Sequence, residues 1–233
     1  MKYFFLLLSF CTPLWAADAT AVVKKIEGFL APTKSKFTYA FINHRTDGTT
    51  MDYEVSFQMK DSNHSHGYFV KPEREKGREV LRLEDDLWTY MPSVGKAVHI
   101  ADKDSFAGGD FSNADILRVD WTSKYSVTLL KDLTNQAIYE LKAKSKDAAY
   151  AKMRLWVDKK SGMPVQQKFY DSQGTLLKRL SYGEVKKFGK VERPSFLLME
   201  NVITRQKSEL RVLAMESPAD VKDSRFRVDN LGK

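Results

Sequence analysis

Thiol chemistry is almost missing from this chain. Its single cysteine, Cys11, falls in a short N-terminal segment that reads as a leader. The remainder therefore has no disulfide staple and no thiolate nucleophile, and core burial must hold it together. A membrane-crossing helix is not expected either, because the apolar run Tyr3 to Phe10 is far short of the roughly 20 residues such a helix needs. No linker, low-complexity tract or repeat longer than a hairpin divides the chain. Enzyme signatures are also wanting: there is no Gly-x-Ser-x-Gly, no phosphate loop and no Cys/His pair.

The leader itself is well formed. Lys2, the apolar run, and a polar, small-residue region to Ala19 follow the three-part layout of a secretory signal peptide, with Ala17-Asp18-Ala19 as the best cleavage site. Bulky Phe10 before Cys11 argues against lipid attachment there. The expected organisation is a cleaved signal peptide over residues 1–19 and one domain over residues 20–233, exported to the periplasm. The 38 Lys and Arg against 30 Asp and Glu give a formal +8, to which Lys2 contributes one. Spread along the chain, this charge reads as a solvated surface that favours transient contact with anionic membranes or acidic partners. Nucleic acid is not an expected partner in that compartment.

Periodicity then supplies the fold class. Val22, Val23, Ile26, Phe29 and Leu30 recur at helical spacing, with Lys24, Lys25 and Glu27 opposite, and Pro32 and Thr33 end the helix. From Phe37 the period changes to two. The clearest strand has Met51, Tyr53, Val55, Phe57 and Met59 on one face and Asp52, Glu54, Ser56, Gln58 and Lys60 on the other. A slip of one residue would expose five large side chains, so its register must be fixed. Further short strands follow at regular spacing, with turns such as Lys159-Lys160-Ser161-Gly162 and Asp171-Ser172-Gln173-Gly174. The expectation is a mainly β, antiparallel, up-and-down open half-barrel of about eleven strands in meander order, with helical covers near residues 25 and 115. The segment Pro218 to Leu231 reads as a short helix or extended tail that docks through Phe226, Val228 and Leu231.

Several groups invite a chemical reading and do not sustain it. His64 and His66, with Asp61 nearby, read as a surface loop with too few ligands for a metal. Glu84-Asp85-Asp86 reads as a solvated turn between two strands instead of a catalytic carboxylate pair. Gly108-Gly109-Asp110-Phe111 superficially matches a cyclic-dinucleotide synthase signature but has only one acidic residue. No catalytic residue, metal or cofactor is expected.

The stretch from Leu87 to Asp115 is more informative. Leu87-Trp88-Thr89-Tyr90-Met91-Pro92 and Lys96-Ala97-Val98-His99-Ile100 read as two strands joined by a turn. In Ser105-Phe106-Ala107-Gly108-Gly109-Asp110-Phe111-Ser112-Asn113-Ala114-Asp115, two glycines free the backbone, and Asp, Ser and Asn can accept from the N–H groups of a helix start. This pattern of Leu-Trp-x-Tyr-x-Pro, a basic strand, and Ser-Phe-x-Gly-x-Asp-Phe-x-x-x-Asp resembles the outer-membrane lipoprotein-sorting family, in the LolA/LolB-like carrier superfamily. The resemblance implies an open β half-barrel covered by helices and a route from inner to outer membrane.

The apolar inventory fits that implication. Seven methionines beyond Met1, among them Met51, Met59, Met153 and Met199, offer soft surfaces for poorly defined apolar ligands, and a strongly curved sheet can leave a hollow under its lids. Shielding matters because an acyl chain of about sixteen carbons faces a barrier on the order of 12 kcal/mol in water. Candidate wall residues are Tyr39, Phe41, Tyr53, Val55, Phe57 and Met59, together with Trp88, Tyr90, Leu155 and Phe169. Phe106 and Phe111 are placed at the helical lid. The expected function is a monomeric, non-enzymatic carrier of the acyl chains of lipoproteins or lipids, served by an inner-membrane exporter and an outer-membrane acceptor. The alternative is a periplasmic accessory or sensor subunit that binds an inner-membrane exporter or regulator through the same fold.

Overall fold

The structure, a computed structural model, describes residues 15–233, with side chains from Ala19 onward. The expected leader lies outside the described residues apart from the first turn of the first helix.

Alternation in sequence becomes alternation in space. Strand β1 (Ser35–His44) buries every second residue, and β2 (Thr50–Asp61) buries Tyr53, Val55, Phe57 and Met59. They pair antiparallel with Phe37 opposite Phe57, Tyr39 opposite Val55 and Phe41 opposite Tyr53. A turn at Asp47-Gly48 joins them; the Asp47 carboxylate accepts the Thr49 N–H at 2.9 Å and Gly48 takes a φ of 84°. The meander continues through β3 (His64–Lys71), β4 (Glu79–Leu83), β5 (Asp86–Met91) and β6 (Lys96–His99). A second meander comprises β7 (Tyr125–Asp132), β8 (Gln136–Ala143), β9 (Lys152–Asp158) and β10 (Pro164–Tyr170). It ends with β11 (Leu176–Phe188), β12 (Val191–Asn201) and β13 (Lys207–Glu216).

All thirteen strands belong to one sheet, ordered β6-β5-β4-β3-β2-β1-β13-β12-β11-β10-β9-β8-β7. The count is slightly above the expected eleven. Simple meander order fails at one place. The first and last strands pair at the centre, leaving β6 and β7 as free edges, so the sheet is an open half-barrel. Tight turns dictate hairpin neighbours, but nothing local dictates the pairing of β1 with β13.

Helix α1 (Trp15–Leu30) packs against β7 and β12 and buries Val23, Ile26 and Leu30. Arg193 donates to the carbonyl of Leu30 at 2.5 Å, meeting one of the orphan acceptors at the helix end. Glu27 departs from its expected place on the polar side. It is buried, and it accepts the Thr122 backbone N–H at 2.6 Å and the Thr122 hydroxyl at 3.1 Å.

Residues 100–124 run from edge β6 to edge β7 across the concave face. They hold a 3-10 turn at Phe106–Gly108 and the short helices α2 (Asn113–Leu117) and α3 (Trp121–Lys124). The helix expected near residue 115 is thus a short one. Ser112 and Asp115 form a reciprocal capping box that starts α2, and Arg118 returns to extended backbone. The tail beyond β13 forms two 3-10 turns, Asp223–Arg225 and Val228–Asn230, and buries Phe226 and Leu231 against Leu81. His64 and His66 begin β3, so they do not lie in a loop.

Candidate functional site: the concave face and its lid

The concave face is built by parity. Tyr39 and Phe41 of β1, Tyr53, Val55, Phe57 and Met59 of β2, Leu155 of β9 and Phe169 of β10 are all buried in one apolar cluster. Phe106 and Phe111 of the 100–124 segment join it. Ten of the twelve candidate residues therefore share one surface.

Trp88 and Tyr90 do not. On β5, Leu87 enters the main cluster, while Trp88 and Tyr90 belong to the second cluster beneath the C-terminal tail. Gly232 lies so close to the Tyr90 ring that an added Cβ would come within 2.3 Å of it. Both faces of β5 are covered, one by the core and the other by the tail, so apolar residues occur at both parities.

The hollow expected under the lid is filled by the protein's own rings. The Phe106 centroid lies 5.0 Å from that of Phe41, 5.7 Å from Phe69 and 6.0 Å from Phe57. Phe111 meets Phe41 edge to face at 6.4 Å. The void that remains, lined by Tyr39, Met59, Phe111, Phe169 and Leu180, measures about 40 Å³. It has room for a few waters and no acyl chain. Two roomier clefts lie outside the core: a shallow one of about 710 Å³ along Ala143, Ala149, Tyr170 and Leu177, and one of about 350 Å³ on the flank of the lid among Asp102, Asp115, Arg118, Trp121, Tyr125 and Tyr150. The flank cleft has a mixed lining and shares Asp115 and Trp121 with the small void.

Ala107, Ile116 and Leu117 of the lid are buried in the same cluster, and polar contacts fasten the lid at two rims. At the first, the Asp110 N–H donates to the Ser208 hydroxyl at 2.8 Å, and the Asp110 carboxylate accepts from Asn201 Nδ2 at 3.1 Å and from the Ser208 hydroxyl at 3.2 Å. Lys178 Nζ donates to the Asp110 carbonyl at 2.5 Å, and Asn43 Nδ2 donates to the Ala107 carbonyl at 3.0 Å. Two glycines are needed here for different reasons. Gly108 has a φ of 70°, whereas Gly109 provides space: a Cβ there would lie 2.2 Å from Asn43 Oδ1.

At the second rim, the Ser65 hydroxyl donates to the Leu117 carbonyl at 3.0 Å. Arg118 donates to Asp85 at 2.7 Å and to Asn63 at 2.9 Å, and Lys124 reaches the same Asp85 oxygen at 2.7 Å. Hydrogen bonds from Lys124 and then Arg118 hold the Asp85 carboxyl down at about 2. Asp85 is exposed, as expected for a turn, but it is also an anchor for the lid. Between the rims, Asp115 accepts the Tyr150 hydroxyl at 2.8 Å; burial raises its carboxyl, against the opposing influence of Lys178.

The histidines serve structure. His64 Nδ1 lies 2.9 Å from Asp61, and buried His66 lies 2.5 Å from Glu79, which also accepts the Gly232 N–H at 2.9 Å. Burial works to raise the Glu79 carboxyl, but the bonds from His66 and Gly232 outweigh it and the net shift is downward. Among the described residues, no group of three or more His, Cys, Asp or Glu is arranged to hold a metal. Sequence reasoning missed Asn43, Lys178, Asn201 and Ser208. They lie up to 98 positions from their partners on the lid, and no local signal marks them.

An open antiparallel half-barrel, its apolar concave face covered by a helix and by an edge-to-edge connection, is the architecture of LolA-like proteins. Among solved structures, the chain is similar to a LolA superfamily protein from Nitrosomonas europaea, with a TM-score of 0.82 and 26% identity over 91% of this chain and 99% of that one. It is also similar in fold to a structure described as an outer membrane lipoprotein-sorting protein domain from Vibrio parahaemolyticus, with a TM-score of 0.82 and 20% identity over 94% of this chain and 100% of that one. The chain belongs to the protein family whose model, described as uncharacterized protein-like, matches residues 61–233. The comparison with curated proteins found no match.

Proposed function

We propose that the protein is a periplasmic, non-enzymatic carrier that shields the acyl chains of lipoproteins or lipids against its concave face for transfer toward the outer membrane. One observation carries this reading. The face is lined by apolar side chains, and the segment that covers it contributes Phe106 and Phe111 to the interior while its rims are fastened by hydrogen bonds and ion pairs. Such fastenings contribute about 1 to 3 kcal/mol each, because water replaces them when they open. An entering chain would take the place of the two rings and cover the surface they leave. The likeness to a LolA superfamily protein over nearly the whole chain supports the same reading.

On this reading an inner-membrane exporter loads the carrier and an outer-membrane acceptor unloads it. Mass spectrometry of organic extracts from protein purified out of the periplasm tests the cargo directly. A fluorescent acyl probe should bind the delipidated protein and be displaced by fatty acid, and Phe57→Asp, whose buried carboxylate also lowers stability, should abolish that binding in protein that circular dichroism shows to be folded. Empty extracts together with unchanged probe binding in Phe57→Asp would overturn the proposal.

A further inference from the structure

The hairpin joining β12 to β13 ends in an unusual combination of side chains. Ile203 is 63% exposed, more than any other large aliphatic residue described as exposed, and Val202 beside it is 38% exposed. Single apolar side chains on a surface need no explanation. Here, however, two β-branched residues are held side by side by an ordered turn. Asn201 Oδ1 accepts the N–H groups of Ile203 and Thr204, both at 3.0 Å, and the Asn201 carbonyl accepts the Arg205 N–H at 2.9 Å.

Behind this tip is a shallow concavity of about 220 Å³ lined by Arg179, Glu200, Asn201, Val202, Arg205 and Lys207. Three cations face one carboxylate. Lys207 pairs with Glu200 at 3.1 Å, whereas no ion pair is recorded for Arg179 or Arg205 among the described residues. Paired aliphatics ahead of unneutralised guanidinium groups reproduce, over a few ångströms, the layering of a bilayer interface, with acyl region first and phosphates behind. Near Leu133, on the β7–β8 turn, the neighbouring Lys159 is already paired with Asp132 at 2.8 Å.

We propose that the β12–β13 tip is a docking element for an anionic phospholipid bilayer: Val202 and Ile203 enter the acyl region, while Arg179 and Arg205 meet lipid phosphates. Charge complementarity selects this partner, since the chain as a whole is cationic and the concavity concentrates that charge beside an apolar tip. The tip is also joined to the lid. Asn201, whose carbonyl and side-chain oxygen shape the turn, donates through Nδ2 to Asp110. Docking by this hairpin therefore brings the first rim of the lid to the membrane, where a chain would pass. That use rests on the carrier reading, but the docking itself does not.

The test uses the exported chain with sucrose-loaded vesicles of phosphatidylethanolamine and phosphatidylglycerol, against vesicles of phosphatidylcholine alone. Sedimentation should show binding to the anionic vesicles that weakens steeply with salt. Arg179→Gln and Arg205→Gln should each weaken it about fivefold, and Ile203→Asp about tenfold or more, whereas Leu133→Asp should leave it unchanged. An environment-sensitive dye on Ile203→Cys, in a chain without Cys11, should shift to the blue on anionic vesicles alone. Equal binding by the natural chain and Ile203→Asp, or no blue shift, would overturn the inference. Binding of a soluble acyl probe by Ile203→Asp, measured without vesicles, tells failure of docking apart from failure of the carrier reading.

Discussion

Replacing Phe106 by alanine separates a lid from an ordinary piece of core. The ring packs among Phe41, Phe57 and Phe69 with centroid distances of 5.0 to 6.0 Å, and truncating a phenylalanine in such surroundings costs about 3 to 5 kcal/mol. The two readings assign that loss to different equilibria. If residues 100–124 open as a unit while the sheet persists, the loss falls on closure, and 3 kcal/mol makes the open form roughly a hundredfold more populated. Apparent affinity for an acyl probe then rises by about the same factor as long as the lid remains mostly shut. If Phe106 is simply core, the loss falls on global unfolding and lowers the melting temperature by roughly 6 to 12 °C for a chain of this size. Probe titration and calorimetry on the same sample measure both quantities. A full drop in melting temperature with no gain in affinity would refute the reasoning that this segment is a displaceable cover.

Three further outcomes follow from the geometry. Gly109→Ala places a methyl group where Asn43 Oδ1 now lies, so the first rim must shift; hydrogen exchange should quicken at residues 106–117 and stability should fall by roughly 1 to 3 kcal/mol. The Asp85 carboxyl is depressed from 3.8 to about 2, so its grip on Arg118 and Lys124 is complete above the ordinary carboxylate value and is lost as pH falls through about 2. Protection of α2 and α3 should decline over that window, and Asp85→Asn should weaken the dependence, leaving the part that comes from Asp115 in the α2 capping box. Trp88→Ala and Tyr90→Ala should each lower stability by about 2 to 4 kcal/mol in denaturant titrations while leaving acyl-probe affinity unaltered, because both side chains pack under the tail on the far side of the sheet; a lost affinity would put the binding surface elsewhere.

What could be read from sequence was what is encoded over a few residues. β2 was legible because one face borders the core and the other does not, and the capping box of Ser112 and Asp115 was legible as helix-start chemistry. Trp88 and Tyr90 of β5 were assigned to the wrong face because both faces of this strand are covered, so alternation does not say which one turns toward the concave side. Glu27 was misassigned because its partner Thr122 lies 95 positions away. The rims of the lid were illegible for the same reason. The vacancy expected beneath the lid was a matter of volume, which periodicity does not encode, and Phe106 and Phe111 occupy it.

Pairing of β1 with β13 places the seam of the molecule at its middle, with Phe41 opposite Leu210 and His44 opposite Lys207. Each meander can zip up from its own hairpins, yet the two are sutured only when the last strand has emerged and found the first. Such a distant contact carries a large loop-closure cost and slows assembly. A nascent chain lacking its final strand would present two half-sheets, each with a raw central edge open to foreign strands. A chain built this way gains from being kept unfolded until its last strand is available.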